Sequence, residues 1–403
     1  MPLTRARVLL ALLLLAAAGA LAFTYFKYRK LSAFVVDQIG GQAAKKLGRQ
    51  VRFSSVAYSP FKGIVLRDAC LSRLPDFSKG EFFCAKKTVI RPRLRALLRN
   101  RVSFSSVVFE APVLKVRERA GRWDFEDLLA LLPETDKGLY LTWNASELAL
   151  RGGRVEADLE TSGLSLALED LDLELGHYSS YGGNFGLEAA GLAKTVYKGK
   201  LVSAGFSLKT DSNFAYGGLS SAKGEFRARD ISYGAMTLET LSADWDLFNM
   251  RKPLGEKNYS VSVAAAGLVL PAQENAARDG VARGLELFSA AMGRTVPKIE
   301  DIELSSFTAA FRLDDSVLAV KDIALRTNFM ELDAALTIFG PQRKADASLR
   351  AVVGDSKLEM SAAGPLGAPR VKPLLSSTLT ARFKSALAAA ENSLLRIFPV
   401  TGE

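Results

Sequence analysis

Leu164-Ser165-Leu166-Ala167-Leu168-Glu169-Asp170-Leu171-Asp172-Leu173-Glu174-Leu175 is the stretch that decides the fold. Leucine occupies every second position on either side of Glu169-Asp170, where the phase slips by one residue. Such a period belongs to a β-strand that is apolar on one face and polar on the other. Leu164, Leu166, Leu168, Leu171, Leu173 and Leu175 are therefore the candidates to line any apolar groove in this chain. Which phase faces inward depends on strand order, because a slip of one residue in register inverts every assignment.

Working outward, the same alternation returns at Leu148–Leu150, Val155–Leu159, Leu201–Leu208, Leu238–Leu247, Tyr259–Ala265, Ile302–Leu313, Val317–Leu325 and Met330–Ile338. Between these runs lie turn signals: Arg151-Gly152-Gly153, Tyr181-Gly182-Gly183-Asn184 and Asp314-Asp315. The pattern predicts a meander of antiparallel strands. Helical patterns are few. They are Leu31–Leu47, the short faces Leu94/Leu97/Leu98 and Phe125/Leu128/Leu129/Leu132, a stripe of Val281, Leu285, Phe288 and Met292 within 273–292, and a C-terminal helix over Ser376–Phe398. Each stripe is expected to pack against the sheet.

Before the strands comes an uncharged apolar run, Val8 to Phe26, between Arg5/Arg7 and Lys27, Arg29 and Lys30. About nineteen helical residues match the hydrocarbon thickness of a bilayer. A cleaved secretory signal is the competing reading, with Ala20-Leu21-Ala22 as its cleavage site. The apolar run continues past that site through Phe23, Tyr25 and Phe26, which favours an uncleaved anchor. No second run is long enough to span, so the expectation is a single-pass protein.

The chain has 403 residues, enough for two or three domains, and a formal charge of +10. The positive excess is uneven, with Lys45, Lys46, Arg49 and Arg52 after the anchor and Arg91, Arg93, Arg95, Arg99 and Arg101 in one segment. Basic residues are not interleaved with aromatics, so a solvated face beside acidic lipid is favoured over a nucleic-acid site. Cys70 and Cys84 are the only cysteines and His177 the only histidine, too few for a structural zinc site. The two cysteines fall on segments read as neighbouring strands. They form a disulfide in an oxidising compartment or stay as two buried thiols.

Catalytic arrangements are missing. There is no Gly-x-Ser-x-Gly elbow, no phosphate-cradling Gly-Lys-Ser/Thr loop and no His-Glu-x-x-His. The carboxylate pairs Asp314-Asp315 and Asp170/Asp172 read as solvated turn and strand positions. An enzyme is not expected, nor is a cofactor or metal.

One set of segments resembles a known family. Leu47-Gly48-Arg49-Gln50-Val51, Gly63-Ile64-Val65-Leu66-Arg67-Asp68-Ala69, Val102 to Val116 and Gly121-Arg122-Trp123-Asp124-Phe125-Glu126-Asp127-Leu128-Leu129 resemble, in that order, the N-terminal region of the AsmA family of envelope proteins, whose larger members include TamB- and YhdP-like chains. Asp124 departs from the asparagine common after the tryptophan. Ile302–Phe307, Val317–Leu325, Met330–Ala335 and Gly364–Pro373 are similar to the family's C-terminal region. The resemblance implies a mainly β fold with few helices: an N-terminal transmembrane helix, a bent antiparallel sheet forming a β-groove, and a C-terminal helix. The expected divisions are an anchor at 1–30, the start of the groove at 31–138, a central groove at 139–297 and C-terminal strands with the terminal helix at 298–403.

It further implies a bacterial inner-membrane protein with its body in the periplasm. Its partners would be phospholipid and the membrane, with envelope proteins as additional partners, and its role would lie in phospholipid transport or outer-membrane homeostasis. A non-enzymatic scaffold or assembly factor, with the apolar face as ordinary core, is the alternative.

Overall fold

The computed structural model describes residues 48–59, 63–92, 104–129, 147–177, 183–197, 199–215, 218–271 and 301–372. These are almost entirely strand and form two compact units that divide at the last residue of one strand, between Gly176 and His177. Among the described residues no helix is long and apolar enough to cross a membrane. The anchor expected from the sequence lies outside them, as do the helical patterns at 31–47, Leu94/Leu97/Leu98, 273–292 and 376–398.

The first unit contains β1 (Val51–Arg52), β2 (Ser55–Ser59), β3 (Gly63–Ser72), β4 (Glu81–Pro92), β5 (Phe104–Arg119), β6 (Arg122–Trp123), the single helical turn α1 (Glu126–Leu129), β7 (Glu147–Leu159) and β8 (Leu164–His177). β1 and β2 follow one another along one edge of β3, whose other edge pairs with β4, and β4 pairs with β5, all antiparallel. β5 and β7 are parallel, a departure from the antiparallel sheet expected. A parallel pair needs a crossover. Here the chain turns at Ala120-Gly121, passes through β6 and α1, and begins β7 at Glu147 beside Ser106, near the start of β5.

The second unit is a plain meander: β9 (Gly183–Tyr197), β10 (Lys200–Ala215), β11 (Gly218–Tyr233), β12 (Met236–Phe248), β13 (Asn258–Leu270), β14 (Ile302–Asp314), β15 (Val317–Thr327), β16 (Met330–Phe339), β17 (Lys344–Val353), β18 (Ser356–Pro365) and β19 (Arg370–Lys372). Each strand pairs antiparallel with the next in chain order. The Asp314–Val317 connection is a tight hairpin with Asp315 and Ser316 both at positive φ, as a two-residue turn of matching twist requires.

Two readings of the sequence need correction. Leu148–Leu150 and Val155–Leu159 are one strand, because Arg151-Gly152-Gly153 is not a turn but a bulge inside β7. The phase slip at Glu169-Asp170 is the matching bulge in β8. In addition, β9, β11, β17 and β18 lie outside the runs picked out by alternation. Their apolar positions are largely small: Ala189, Gly191 and Ala193 in β9, Ala222, Gly224 and Ala228 in β11, Ala345, Ala347 and Ala351 in β17. Alanine and glycine leave the period-two signal faint.

Candidate functional site

The paired bulges bring the six leucines to one face. Leu164, Leu166 and Leu168 sit opposite Leu159, Ala157 and Val155, while Leu171, Leu173 and Leu175 sit opposite Gly153, Leu150 and Leu148. Directly opposed residues project to the same side of a sheet. The bulges are offset, so where one strand slips its partner runs regularly and carries the phase through. Gly152 and Asp170 take positive φ at the bulges, and the Gly152 amide donates to the Asp172 carboxylate at 2.8 Å. Gly153 is closely packed: a Cβ there would lie 3.1 Å from the Pro112 ring and 3.2 Å from the Leu171 carbonyl oxygen.

That face continues across the first unit. Val107, Phe109, Leu114 and Val116 of β5 stand beside Leu148, Leu150, Val155 and Ala157. Ile90, Ala85 and Phe83 of β4 follow, then Ile64, Leu66, Ala69 and Leu71 of β3. Phe83 and Phe109 meet edge to face at 5.1 Å. Ile64 and Leu66 are buried, as is Leu171; the other five leucines of β8 are half-buried. The opposite face is apolar only locally, in the cluster of Val65, Val89, Val108 and Ala149.

The second unit repeats the division, from residues that lay partly outside the expected runs. One face carries Leu208, Phe226, Ala243, Val263, Ala309 and their neighbours in register across β10 to β14. It continues through Val320, Leu336 and Ala347 to Ala362 of β18. Most of its larger side chains are half-buried, and Phe311 is 40% exposed.

The other face presents Lys209, Glu225, Asp244 and Ser262 in one cross-strand row and Asp211, Lys223, Asp246 and Ser260 in the next. These rows line a shallow depression of about 370 Å³. Lys209 donates to Glu188 at 2.6 Å, which together with that carboxylate's charge raises the ammonium's pKa, and Arg227 pairs with Asp244 at 2.8 Å. Exposed pairs of this kind contribute little energy and read as a solvated outer surface.

Two segments singled out in the sequence meet in space. Arg49, whose side chain is fully buried, grips Asp127 with Nε at 2.7 Å and Nη2 at 2.6 Å. It also donates to the carbonyls of Asp124 and, at 3.4 Å, Ser72, and lies 4.5 Å over the Phe82 ring. The Asp124 carboxylate pairs with Arg73 and accepts from the Arg117 amide at 3.0 Å. Burial lowers the Arg73 pKa from its ordinary value, and Asp124 opposes that shift. The position that departs from the family pattern thus carries an ion pair.

Close by, Glu118 accepts from the Thr161 hydroxyl at 2.5 Å, the Thr161 amide at 3.0 Å and the Gly121 amide. These bonds, those from Thr161 foremost, hold its carboxyl below the ordinary carboxylate range. Nothing in the sequence marked Glu118 as a clamp between two turns.

Cys70 and Cys84 stand directly opposite one another on β3 and β4 and form a disulfide, with 4.1 Å between their Cα atoms. Among the described residues, the one group of three metal-ligating side chains is these two cysteines with Glu81. Both sulfurs are used by the disulfide, and Glu81 accepts from Arg52. Asp315, in the predicted turn, and Asp170, at the bulge in β8, are exposed at positive φ, where their role is conformational. His177 closes β8.

No family model, curated protein or solved structure matches this chain.

Proposed function

We propose that this chain is an AsmA-like, inner-membrane-anchored periplasmic protein that holds phospholipid acyl chains against its apolar sheet faces, in phospholipid transport between membranes or outer-membrane homeostasis. The observation that carries this reading is the half-exposed apolar face that runs in register from β10 to β18. A sheet normally buries such a face against a second layer. Acyl chains are the complementary surface: uniform, apolar and without hydrogen-bonding needs.

Moving an acyl chain through water costs roughly 0.8 kcal/mol per methylene, whereas passing it from a bilayer to an apolar sheet costs little. A protein of this kind therefore acts by keeping the chain dry, with no bond made or broken. The disulfide supports an oxidising compartment and hence a periplasmic body. The anchor read at 8–26 supplies attachment at one membrane. The meeting of Arg49 with Asp127 gives the ordered N-terminal motifs a common structural role, which supports the family reading.

Photo-crosslinking from neighbouring positions tests the proposal. Leu208 and Lys209 point to opposite faces of β10. With p-benzoylphenylalanine in the full chain, Leu208 and Leu173 are expected to give adducts of phospholipid mass and Lys209 none. Protein adducts at Leu208 and Leu173 with no lipid would replace this reading by the scaffold.

A further inference from the structure

The β5–β6 hairpin closes on two arginines. Arg119 and Arg122 stand directly opposite one another across the tight turn Ala120-Gly121, both of whose residues take positive φ. Opposed residues project to the same side of a hairpin, and like charges placed so repel. Arg117, two residues earlier on β5, shares that side. All three residues are exposed.

The neighbouring carboxylates are committed elsewhere. Asp124, opposite Arg117 at the end of the hairpin, gives one oxygen to Arg73 and the other to the Arg117 amide. Glu118 projects to the other side and is held by Thr161 and Gly121. Asp158 faces Arg117 across the parallel β5–β7 pair. Among the described residues, no carboxylate lies within ion-pair distance of the Arg117, Arg119 or Arg122 guanidinium. Their field is felt inside the unit: burial is the main cause of the lowered Arg73 pKa, and Arg117 and Arg119 push it further down against the pull of Asp124.

Three planar forks on one side of a tight turn, with one facing carboxylate, are complementary to a group that carries several negatively charged oxygens. Arginine meets phosphate in this way, commonly through two parallel hydrogen bonds. On the other side of the hairpin Trp123 is 37% exposed, with its ring 5.3 Å from that of Phe125, an aromatic of the kind that sits at headgroup level.

We propose that Arg117, Arg119 and Arg122 form a phosphate-binding site at the β5–β6 hairpin. A phospholipid headgroup and a free phosphate share the chemistry this site recognises. The headgroup as source rests on the acyl-binding reading, whereas the site itself does not.

The test maps arginine modification by phenylglyoxal, read by mass spectrometry, on the full chain in dodecyl maltoside at constant ionic strength. Arg229, exposed on β11, is the control. Dihexanoylphosphatidic acid should protect Arg117, Arg119 and Arg122 and leave Arg229 unchanged. Arg119→Gln with Arg122→Gln should weaken the binding read at Arg117 by about tenfold or more. The double variant relieves the opposed charges, so hydrogen-exchange protection of the Asp124 amide, bonded to the Arg117 carbonyl at 2.9 Å, should not fall. That separates lost ligand contacts from lost folding.

Protection by the lipid at concentrations where inorganic phosphate gives little would assign the site to a headgroup; equal protection by inorganic phosphate would assign it to the free anion. No protection by either probe, equal protection of Arg229, or an unchanged affinity in the double variant would overturn the proposal. Adducts at Leu208 and Leu173 report on the acyl face independently, so either reading can fail while the other stands.

Discussion

Replacing Arg49 with methionine keeps an unbranched stem over Phe82 and removes the guanidinium. What is lost is the two-pronged pair with Asp127 at 2.6 and 2.7 Å, together with donors to the Asp124 and Ser72 carbonyls. Breaking a buried ion pair from one side costs roughly 3–5 kcal/mol. The carboxylate left behind is 26% exposed, so water reaches it and the low end applies, about 3 kcal/mol. That corresponds to a rise of about 150-fold in the local opening constant.

Hydrogen exchange on the full chain in detergent reads this directly. The Gln50 amide bonds the Ser72 hydroxyl and the Ser72 amide bonds the Gln50 carbonyl, both at 2.9 Å beside the network. Both should lose protection by that factor, while the Gly340 amide in the second unit should not change. Asp127→Asn, which strands a fully buried guanidinium, should cost at least as much, and the double variant Arg49→Met/Asp127→Leu less than the sum. A loss below about fivefold at Gln50 and Ser72, under 1 kcal/mol, would refute the claim that this pair fixes residue 49 to the sheet.

Gly224→Ala would place a Cβ 2.4 Å from the Lys209 carbonyl and 2.6 Å from the Trp245 indole; a destabilisation of about 1–3 kcal/mol with altered Trp245 emission is expected, and an unchanged urea midpoint would contradict it. Glu118 titrates below its ordinary value, so its contribution is present above the unfolded pKa and lost as the pH falls through the folded one. Protection of the Gly121 and Thr161 amides should accordingly hold at neutral pH and fall below about pH 4, and Thr161→Val should move that loss upward. The Cys70–Cys84 disulfide spans 14 residues, and Cys70→Ser with Cys84→Ser should lower the stability of the first unit by about 3 kcal/mol, measured as proteolytic opening within β3 and β4.

The sequence was legible where large side chains alternate. Leu164 to Leu175 displays its face because leucine contrasts sharply with Asp172 and Glu174. β11 hid, because Ala222, Gly224 and Ala228 contrast weakly with Lys223 and Arg227. A glycine pair read as a turn proved to be a bulge, since only a partner strand with its own slip at Asp170 distinguishes the two. Cys70 and Cys84 could be placed on neighbouring strands from the sequence, but whether they bond was open, because direct opposition depends on register. The grip of Arg49 on Asp127 crosses 78 residues, and no local pattern encodes such a contact.

Pairing only between consecutive strands, as in the second unit, has a consequence for how such a chain changes length. Each strand's stability depends on its own sequence and two neighbours, in the manner of a one-dimensional array. Excising a whole hairpin such as β15–β16 would leave β14 antiparallel to β17, with both faces preserved and the sheet narrower by about 10 Å, two strand spacings. Excising one strand would instead leave its neighbours parallel and unable to join through a short turn. The sheet is thus a ruler graduated in hairpins, whose span is set by the number of pairs the gene retains.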